Sequence, residues 1–377
     1  MRIFFSGAAL LGLPICLSLT AAAPFGGVDT APVSDYKLLE PITHGDLTVF
    51  PVVSSKNRDT STFLTLDEGI RSGEVVVTEA GNLHSTMIRR PHTQAHQYGG
   101  GAQVNTLVLV NNSHRPLILL AGEIVTGGKQ DRVVGKDRIV PAESDPVDLG
   151  VFCVEPHRWV ESSAKFDTHA SVMAQPSVRK KAMVEKDQQQ VWNSVASAKG
   201  VMAERAQASP PPSGIVGGGA YAEQTRQLES TSSYAKAREN VLVQKQVDAI
   251  TGPMQKSYES LISQLRNQNA VGVVVAVKGR IVWADLFAST SLLGKYWPKL
   301  LQSYAAEALT TYGEHREVSM KQAQEFLDNW QSRHETVDSE PGLYRQRELI
   351  GDRFRAFELT SLLPKATFDV HLSKMAE

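Results

Sequence analysis

The chain has 377 residues, of which 42% are hydrophobic and 21% are charged, and its formal net charge is -1 at pH 7. A chain of this length can bury a large core and has room for two modules or one elaborated domain. The near-neutral charge argues against partners bound through bulk electrostatics, so we expect no nucleic-acid partner and no anionic membrane partner.

The first 23 residues have the pattern of an export signal. Arg2 gives a positive start, residues 3–20 are apolar, and residues 21–23 are alanines typical of a cleavage zone. Pro24 disfavours cleavage directly before it, which moves the expected site back by one residue. An uncleaved anchor is the alternative, although the apolar span is short and is interrupted by glycine and proline. We expect an exported protein, periplasmic or extracellular, with no stable membrane span after cleavage.

Cys153 is the only cysteine outside this signal, because Cys16 lies within it. The mature chain would then have no intramolecular disulfide, and its stability would depend on packing. The thiol could be buried and inert, paired between chains, or used chemically. Residues 151–154 have the pattern of a strand, and free cysteines are commonly buried. That pattern favours the inert alternative.

After a disordered leader at residues 24–36, residues 37–163 form a β-rich part with many short apolar runs. Thr65, followed three residues later by Glu68, predicts a capping box and a brief helix. Residues 111–114 have the composition of a hairpin turn. So many short strands indicate a sandwich-like or barrel-like layer. The predicted strands comprise residues 47–53, 74–78, 104–110, 116–120, 124–125, 133–134, 139–140 and 147–154.

Residues 164–311 form a mainly helical segment, and residues 312–377 add a C-terminal helix and strands. A Pro/Gly-rich stretch at residues 208–220 predicts a flexible insertion, and residues 270–283 predict a buried hairpin with a Lys278-Gly279 turn. Strands therefore recur after the helices, which indicates an α+β fold. The predicted helices are residues 177–207, 233–265, 291–311 and 319–334, and the predicted tail strands are 348–350, 355–359 and 368–372.

Two glycine-containing turns carry polar residues between apolar runs. Gly122-Glu123 forms the first, and residues 127–132 form the second, with Gln130 and Arg132 in it. Glycines let backbone approach a ligand closely, and arginine and glutamine can orient a carboxylate or phosphate. The alternative is a solvated turn with an incidental Glu–Arg pair. The glycine spacing does not match a Walker loop or a dinucleotide fingerprint.

A third group follows in residues 153–159. Alternation along a strand puts Cys153 and Glu155 on one face, and Pro156 would end that strand. A thiol, a carboxylate and the imidazole of His157 so close together could form a metal site or an activated thiolate. No further metal-ligand spacing supports zinc, so we expect no metal. The alternative is structural, with Glu155 pairing with Arg158 and with Trp159 packed at the corner.

Two other groups of residues indicate no specific chemistry. His92 and His96 lie four residues apart in a segment that has the composition of a mobile polar loop. Tyr296, Trp297 and Tyr304 have helical spacing that is typical of core packing. No Gly-x-Ser-x-Gly elbow and no triad spacing occurs.

These turns resemble a domain family named for its association with ADP-ribosylglycohydrolases and rhodanese-phosphatase proteins. The family pattern has a Gly-Glu turn, a Gly-x-x-Gln-x-Arg turn and a Cys-Val-Glu-x-Gly-Arg-Trp strand. The resemblance extends over about residues 38–311, with histidine for glycine at 157 and aspartate for asparagine at 131. It implies a genomic association with NAD- and ADP-ribose-linked pathways but no established reaction and no known cofactor. Further similar residues are Gln190-Val191-Trp192, Gly279-Arg280, Asp285, Phe287, Trp297 and Ser303-Tyr304.

Three hypotheses of function follow from the sequence. The first is binding, with processing as an extension, of a small anionic ligand such as a nucleotide or ADP-ribose derivative. Arg132, Arg158, Gln130 and Trp159 would bind it, and Glu123 or Glu155 would be the general base. The second is a noncatalytic envelope or extracellular scaffold that binds a protein partner. The third is a thiol- or metal-dependent enzyme that uses Cys153.

Overall fold

A computed structural model describes residues 35–88, 107–168, 172–208, 218–265 and 268–377. The expected signal and almost all of the expected leader lie outside these ranges. The segment with His92 and His96 and most of the Pro/Gly-rich insertion also lie outside them.

The longest strands form one antiparallel sheet of nine strands. Its order is β1, β3, β13, β14, β18, β17, β16, β15. β2 also pairs with β3, at the beginning of that strand, whereas β1 pairs with its end. These strands are β1 Tyr36–Leu38, β2 Ile42–His44, β3 Leu47–Ser54, β13 Asn269–Val277, β14 Arg280–Phe287, β15 Ser332–Glu340, β16 Tyr344–Gly351, β17 Phe354–Leu363 and β18 Ala366–Ala376.

The predicted hairpin at residues 270–283 is confirmed and forms the middle of this sheet. β13 is almost wholly buried, in keeping with its unbroken run of valines and alanines. Lys278 and Gly279 both have positive φ, 50° and 74°, as a two-residue turn between twisted strands requires. β14 continues beyond the predicted end to Phe287, and this extension places Asp285 in the core.

β15 occupies the outer edge of the sheet, where the sequence predicted the end of a helix. The predicted helix over residues 319–334 ends early, because α8 spans Met320–Asp328. Residues 332–340 then pair with β16, and almost every residue of β15 is exposed. A charged edge strand lacks the alternating apolar residues by which strands are recognised, so the sequence pattern could not show it.

The β-rich part contributes three small sheets of three strands. β4, β7 and β10 form one, β5, β6 and β11 the second, and β8, β9 and β12 the third. The hairpin predicted around residues 111–114 is wrong, because β6 and β7 on either side of it pair with different partners. The strands are β4 Leu64–Thr65, β5 Val75–Glu79, β6 Leu107–Asn111, β7 Leu117–Leu119, β8 Ile124–Val125, β9 Arg132–Val134, β10 Arg138–Val140, β11 Val147–Asp148 and β12 Val151–Cys153.

The predicted helices are present, although three of them are divided or shortened, and the helix predicted over 233–265 is divided into α5 and α6 at Asn240. The capping box of Thr65 and Glu68 is present at the start of α1. The helix predicted over 177–207 is divided into α2, a π-helical turn at Lys181–Glu185, and α3. Gly218 and Gly219 lie in helix α4, contrary to the predicted break. The helices are α1 Leu66–Arg71, α2 Pro176–Lys180, α3 Gln188–Ala208, α4 Gly218–Ser230, α5 Tyr234–Glu239, α6 Val241–Ser263, α7 Thr290–Thr310 and α8 Met320–Asp328.

The main core lies where α7 packs against β13 and against α6. Tyr296, Trp297 and Tyr304 of α7 are buried there, as their spacing predicts. The fold is therefore α+β, with a β-rich N-terminal part and with helices and a further hairpin in the C-terminal half. None of the described helices combines the length and the apolar content that crossing a membrane requires.

Candidate functional site

The polar residues between Leu117 and Trp159 separate into three groups in the structure. Glu123 lies in the core beside α7. Gln130, Arg132 and Cys153 lie buried at the sheet of β8, β9 and β12. Arg158, which pairs with buried Glu155, lines an open cleft. The sequence predicted that these side chains would surround one cavity, but the structure brings only part of the set to a cleft.

Glu123 forms a buried ion cluster with α7. Its carboxylate accepts hydrogen bonds from Lys299 Nζ and, at 2.8 Å, from the Leu120 amide. Lys299 also donates to Asp67 of α1 at 2.7 Å and lies over the ring of Tyr296. Although burial opposes the shift, the two carboxylates raise the pKa of Lys299, so it stays charged. Glu123 does not line the cleft, and the geometry around it is that of a core ion pair.

Gly122 lies against a second buried network. Its φ is 95°, and a Cβ there would lie 2.6 Å from the side chain of Arg179. Arg179 pairs with Asp285 at 3.0 Å and stacks on Trp283. The Gly-Glu turn is therefore required by packing, since its glycine admits one core cation and its glutamate pairs with another.

The Arg179–Asp285 pair continues through a histidine to another carboxylate. His371 Nε2 lies 3.1 Å from Asp285, and His371 Nδ1 lies 2.6 Å from Asp137. Tyr304 donates a further hydrogen bond to Asp285. Burial alone would lower the pKa of His371, but Asp137 and Asp285 raise it to about 9. Two cations thus alternate with two anions in the core.

Cys153 is enclosed at the end of β12. The side-chain amide of Gln188 accepts from the Cys153 amide at 2.8 Å and donates to its carbonyl at 2.9 Å. Burial raises the pKa of the Cys153 thiol, against the effect of nearby Arg132. A raised pKa keeps the thiol protonated at neutral pH, which disfavours nucleophilic chemistry.

Arg132 is fully buried, and its guanidinium donates to the carbonyl of Gln130 at 2.7 Å. Burial lowers the pKa of Arg132, with Cys153 and Glu79 acting in the other direction. Gln130 is likewise buried, so neither side chain presents its polar end to a ligand from solvent.

The third group borders the cleft. Arg158 pairs with Glu155 at 2.6 Å and lies 3.4 Å from Asp131, and it also donates to the carbonyls of Gly127 and Gly128. Asp131 accepts in addition from Ser233, the N-cap of α5, at 2.6 Å. Burial raises the pKa of Asp131, and the neighbouring Glu155 adds to that shift. Arg158 thus connects two carboxylates to the glycine turn.

The cleft itself has a volume of about 670 Å³, within the range of small-molecule sites. Its lining includes Arg158, Lys165 and Lys236 as cations and Asp131, Asp167 and Glu239 as anions. Thr126 and the serines at 162 and 163 supply hydroxyl groups. The lining therefore offers three positive groups, three negative groups and several hydrogen-bonding groups to one ligand.

Gly127 lines the cleft, and the loop at residues 162–167 packs directly on Gly127 and Gly128. A Cβ on Gly127 would lie 2.7 Å from Ser163 Oγ and 2.9 Å from the Lys165 carbonyl. Gly127 has φ 138°, which side chains rarely adopt, and a Cβ on Gly128 would meet the ring of Phe166. Thr126 also pairs with Asp167 across an isolated bridge. The turn's glycines fix the shape of the cleft.

The turn after Glu155 places an aromatic side chain in solvent. His157 has φ 73°, so the position where the family pattern has glycine keeps the left-handed conformation. Its ring lies 6.4 Å from that of Trp192. Trp159 is 58% exposed and directly follows cleft-lining Arg158. The structural alternative therefore holds in part: Glu155 pairs with Arg158, but Trp159 does not pack at the corner.

Several important residues were missed from the sequence. Lys165, Asp167, Lys236 and Glu239 come from segments without a recognisable motif, and no local signal marks them. His371 lies in a predicted strand whose partners are distant in sequence. Within the described ranges, no group of three or more His, Cys, Asp or Glu side chains could hold a metal ion.

Comparison with curated proteins and with solved structures finds no match. One family model matches residues 35–375, and its description is ARG and Rhodanese-Phosphatase-superfamily-associated Protein domain. The match includes β1 and nearly all of β18, so it extends beyond the part of the chain that carries the sequence motifs. The chain belongs to this family.

Proposed function

We propose that this protein binds a small anionic ligand of the nucleotide or ADP-ribose type in the cleft beside Arg158. One observation carries the proposal: both turns that the sequence singled out around Gly127 and Arg158 border one cleft of about 670 Å³, together with Lys165 and Lys236. Glu123 and Arg132 do not contact the ligand in this proposal, because both are buried, where Glu123 pairs with Lys299 and Arg132 donates to the carbonyl of Gln130.

The two lysines are the main phosphate contacts in this proposal. Both lie on the exposed part of the lining, where ammonium groups can move onto a phosphate as point charges. Arg158 is engaged with Glu155 and the glycine carbonyls, so it holds the wall in place and adds positive potential. Its function is mainly positioning.

The carboxylates of the lining match the hydroxyl groups of a ribose. Asp167 and Glu239 can accept hydrogen bonds from sugar hydroxyls, as acidic residues do in dinucleotide sites. Trp159 offers a face on which a purine can stack. If the bound ligand is processed, Asp131 is the lining carboxylate with a raised pKa, and Glu155 lies behind it as the partner of Arg158.

Calorimetric titration with ADP-ribose, ADP and ribose 5-phosphate tests the proposal. We expect the Lys165→Ala/Lys236→Ala variant to bind ADP-ribose at least about tenfold more weakly, equivalent to about 1.4 kcal/mol. Lys321→Ala is the matched control, because this exposed lysine lies on α8 and does not line the cleft. Absence of binding by all three probes, or equal loss in the control, contradicts the proposal.

A second titration distinguishes the role of Trp159. Its replacement by alanine should weaken binding of ADP-ribose and ADP but leave ribose 5-phosphate unchanged, because only the first two carry a base that can stack. Equal weakening of all three would show that Trp159 does not contact the base.

The exposed pair Trp159 and Val160, 58% and 76% accessible, favours a second candidate function. Adjacent exposed apolar side chains are typical of protein-binding surfaces, and a noncatalytic scaffold would use them to bind a protein partner. Crosslinking from Trp159 in extracts separates the candidates: a specific protein adduct that ADP-ribose does not displace supports the scaffold.

We infer also that the protein is exported, on the basis of the charge, apolar run and alanine cluster in residues 1–23. Cell fractionation of the full chain should place it outside the cytoplasm, and mass spectrometry should show a new N-terminus near residue 23. Deletion of residues 2–23 should retain the protein inside, and equal distribution of both forms would contradict export.

A further inference from the structure

A second cleft, of about 420 Å³, lies between α2, α3 and the end of α7. It shares no lining residue with the cleft beside Arg158. Ala198 is the single apolar residue among those that line it. No aromatic residue lines it, so a ligand that binds by stacking finds no matching surface here.

One face of α3 forms a wall of this cleft. Gln190, Asn193, Ser194 and Ser197 have the spacing i, i+3, i+4, i+7 that aligns side chains on one helical face. The neighbouring face of α3, with Val191 and Val195, packs in the core. Small serines and flexible amides on the first face leave space and offer donors as well as acceptors.

Glu307 from α7 supplies the negative charge of the cleft. Its Oε2 accepts from the Ser177 amide at 3.0 Å, from Ser177 Oγ at 2.8 Å and from Gln175 Nε2 at 3.0 Å. Its Oε1 accepts no hydrogen bond from the residues that the structure describes. Burial raises the pKa of Glu307, so a cation or strong donor at Oε1 would stabilise its charged form.

Lys181 supplies the positive charge. Its Nζ donates to Gln190 Oε1 at 2.9 Å and to Glu185 at 3.4 Å, and an ammonium group has a third proton to donate. Lys181 also begins the π-helical turn Lys181–Glu185. Such turns are rare and frequently occur at functional sites.

We propose that this cleft binds a small zwitterion, specifically a free α-amino acid. The ligand's ammonium group contacts Glu307 Oε1, its carboxylate contacts Lys181, and the amides and hydroxyls of α3 contact the remainder. Among the residues that line the cleft, one carboxylate and one ammonium group match a net neutral ligand with separated charges. A diphosphate would face a single cation together with a repelling carboxylate, and the lining has no aromatic ring for a sugar.

Thermal-shift and calorimetric measurements with the individual proteinogenic L-amino acids test the proposal. For each that binds, the analogue without the amino group and the analogue without the carboxylate serve as paired probes. Ser197→Leu fills the cleft from an exposed position of α3, and Ala196→Leu places the same side chain on an exposed site outside the cleft. Both variants keep a good helix former in the helix.

We expect at least one amino acid to bind the wild type and Ala196→Leu equally, and to bind Ser197→Leu at least about tenfold more weakly. Both analogues should bind at least tenfold more weakly than the amino acid. The proposal is overturned if no amino acid binds, if Ser197→Leu binds normally, or if monosaccharides bind in a manner sensitive to Ser197→Leu. Because the two clefts share no residue, Lys165→Ala/Lys236→Ala should leave this binding unchanged.

Discussion

The turn at Gly122-Glu123 and the turn at Gly127-Gly128 both combine glycines with polar residues, but the first is buried in the core and the second borders an open cleft. Both place glycines of positive φ beside carboxylates and arginines. The first is buried because Lys299 of α7 pairs with Glu123, and because the side chain of Arg179 of α2 packs against Gly122. The second lines the cleft, and Arg158, which donates to its glycine carbonyls, has a side chain that is 17% exposed. Polar residues at a turn therefore show that the turn has a specific role. Whether that role is to stabilise the core or to bind a ligand depends on partners that are remote in sequence.

The largest expected effect comes from breaking the closed region. Asp285→Ala removes the partner of Arg179, His371 and Tyr304 at once and leaves buried charge uncompensated. We expect the free energy of unfolding to fall by about 3–5 kcal/mol, measured by urea denaturation.

Arg333→Ala is the control for this measurement. Its salt bridge with Asp352 is exposed on both sides, so its loss should cost at most about 1 kcal/mol. Equal effects of the two substitutions would show that the core network does not stabilise the fold.

A smaller effect is expected at the wall of the open region. Gly127→Ala must adopt φ 138° and bring its Cβ within 3.0 Å of two atoms, which should cost about 3 kcal/mol. Gly45→Ala also has a positive φ, 57°, but meets nothing within 4 Å, and should cost about 1 kcal/mol. Similar melting temperatures for the two variants would mean that the loop at residues 162–167 does not pack on Gly127.

The smallest effect concerns pH. The carboxylates of Asp137 and Asp285 raise the pKa of His371 to about 9, so its stabilising contribution is present below pH 6.5 and is lost as pH rises through 9. Lys374 of β18 acts in the opposite direction, because burial lowers its pKa to about 7, and stability rises as pH increases from 7 towards 10.5.

Between pH 7 and pH 9 these two contributions oppose each other, so the wild type should show little change in unfolding free energy. Lys374→Met places an uncharged side chain of similar length among the rings of Phe326, Trp330 and Phe354. It removes the titration of Lys374 and leaves that of His371. Its unfolding free energy should then fall by about 2 kcal/mol over this window. A flat profile for Lys374→Met would argue against a charged His371.

Local patterns predicted much of the fold. The capping box at Thr65, the hairpin turn at Lys278 and the apolar face of α7 each depend on residues close in sequence, and each is confirmed. β15 was missed because its stability comes from pairing with β16 rather than from its own composition. The hairpin predicted at residues 111–114 is wrong because β6 pairs with β11 and β7 pairs with β10, rather than with each other.

The candidate site was harder to predict for the same reason. The sequence pointed to Arg158, whose turn has a recognisable motif, but not to Lys165 or Lys236, whose positions depend on the packing of loop and helix. It also grouped Glu123 with Arg158, because the two are close in sequence. Proximity in sequence does not show whether a turn faces the core or the cleft. Long-range ion pairs such as His371 with Asp137 have no local signature.

The exposed edge strand β15 has a consequence for the behaviour of the protein in concentrated solution. A second molecule that tried to extend the sheet there would have to strip water from charged side chains, including Glu335 and Asp338, which already pair with Arg347 and Lys136. That dehydration opposes the gain from new ladder hydrogen bonds. The charges on β15 thus oppose pairing of two sheets edge to edge at this boundary.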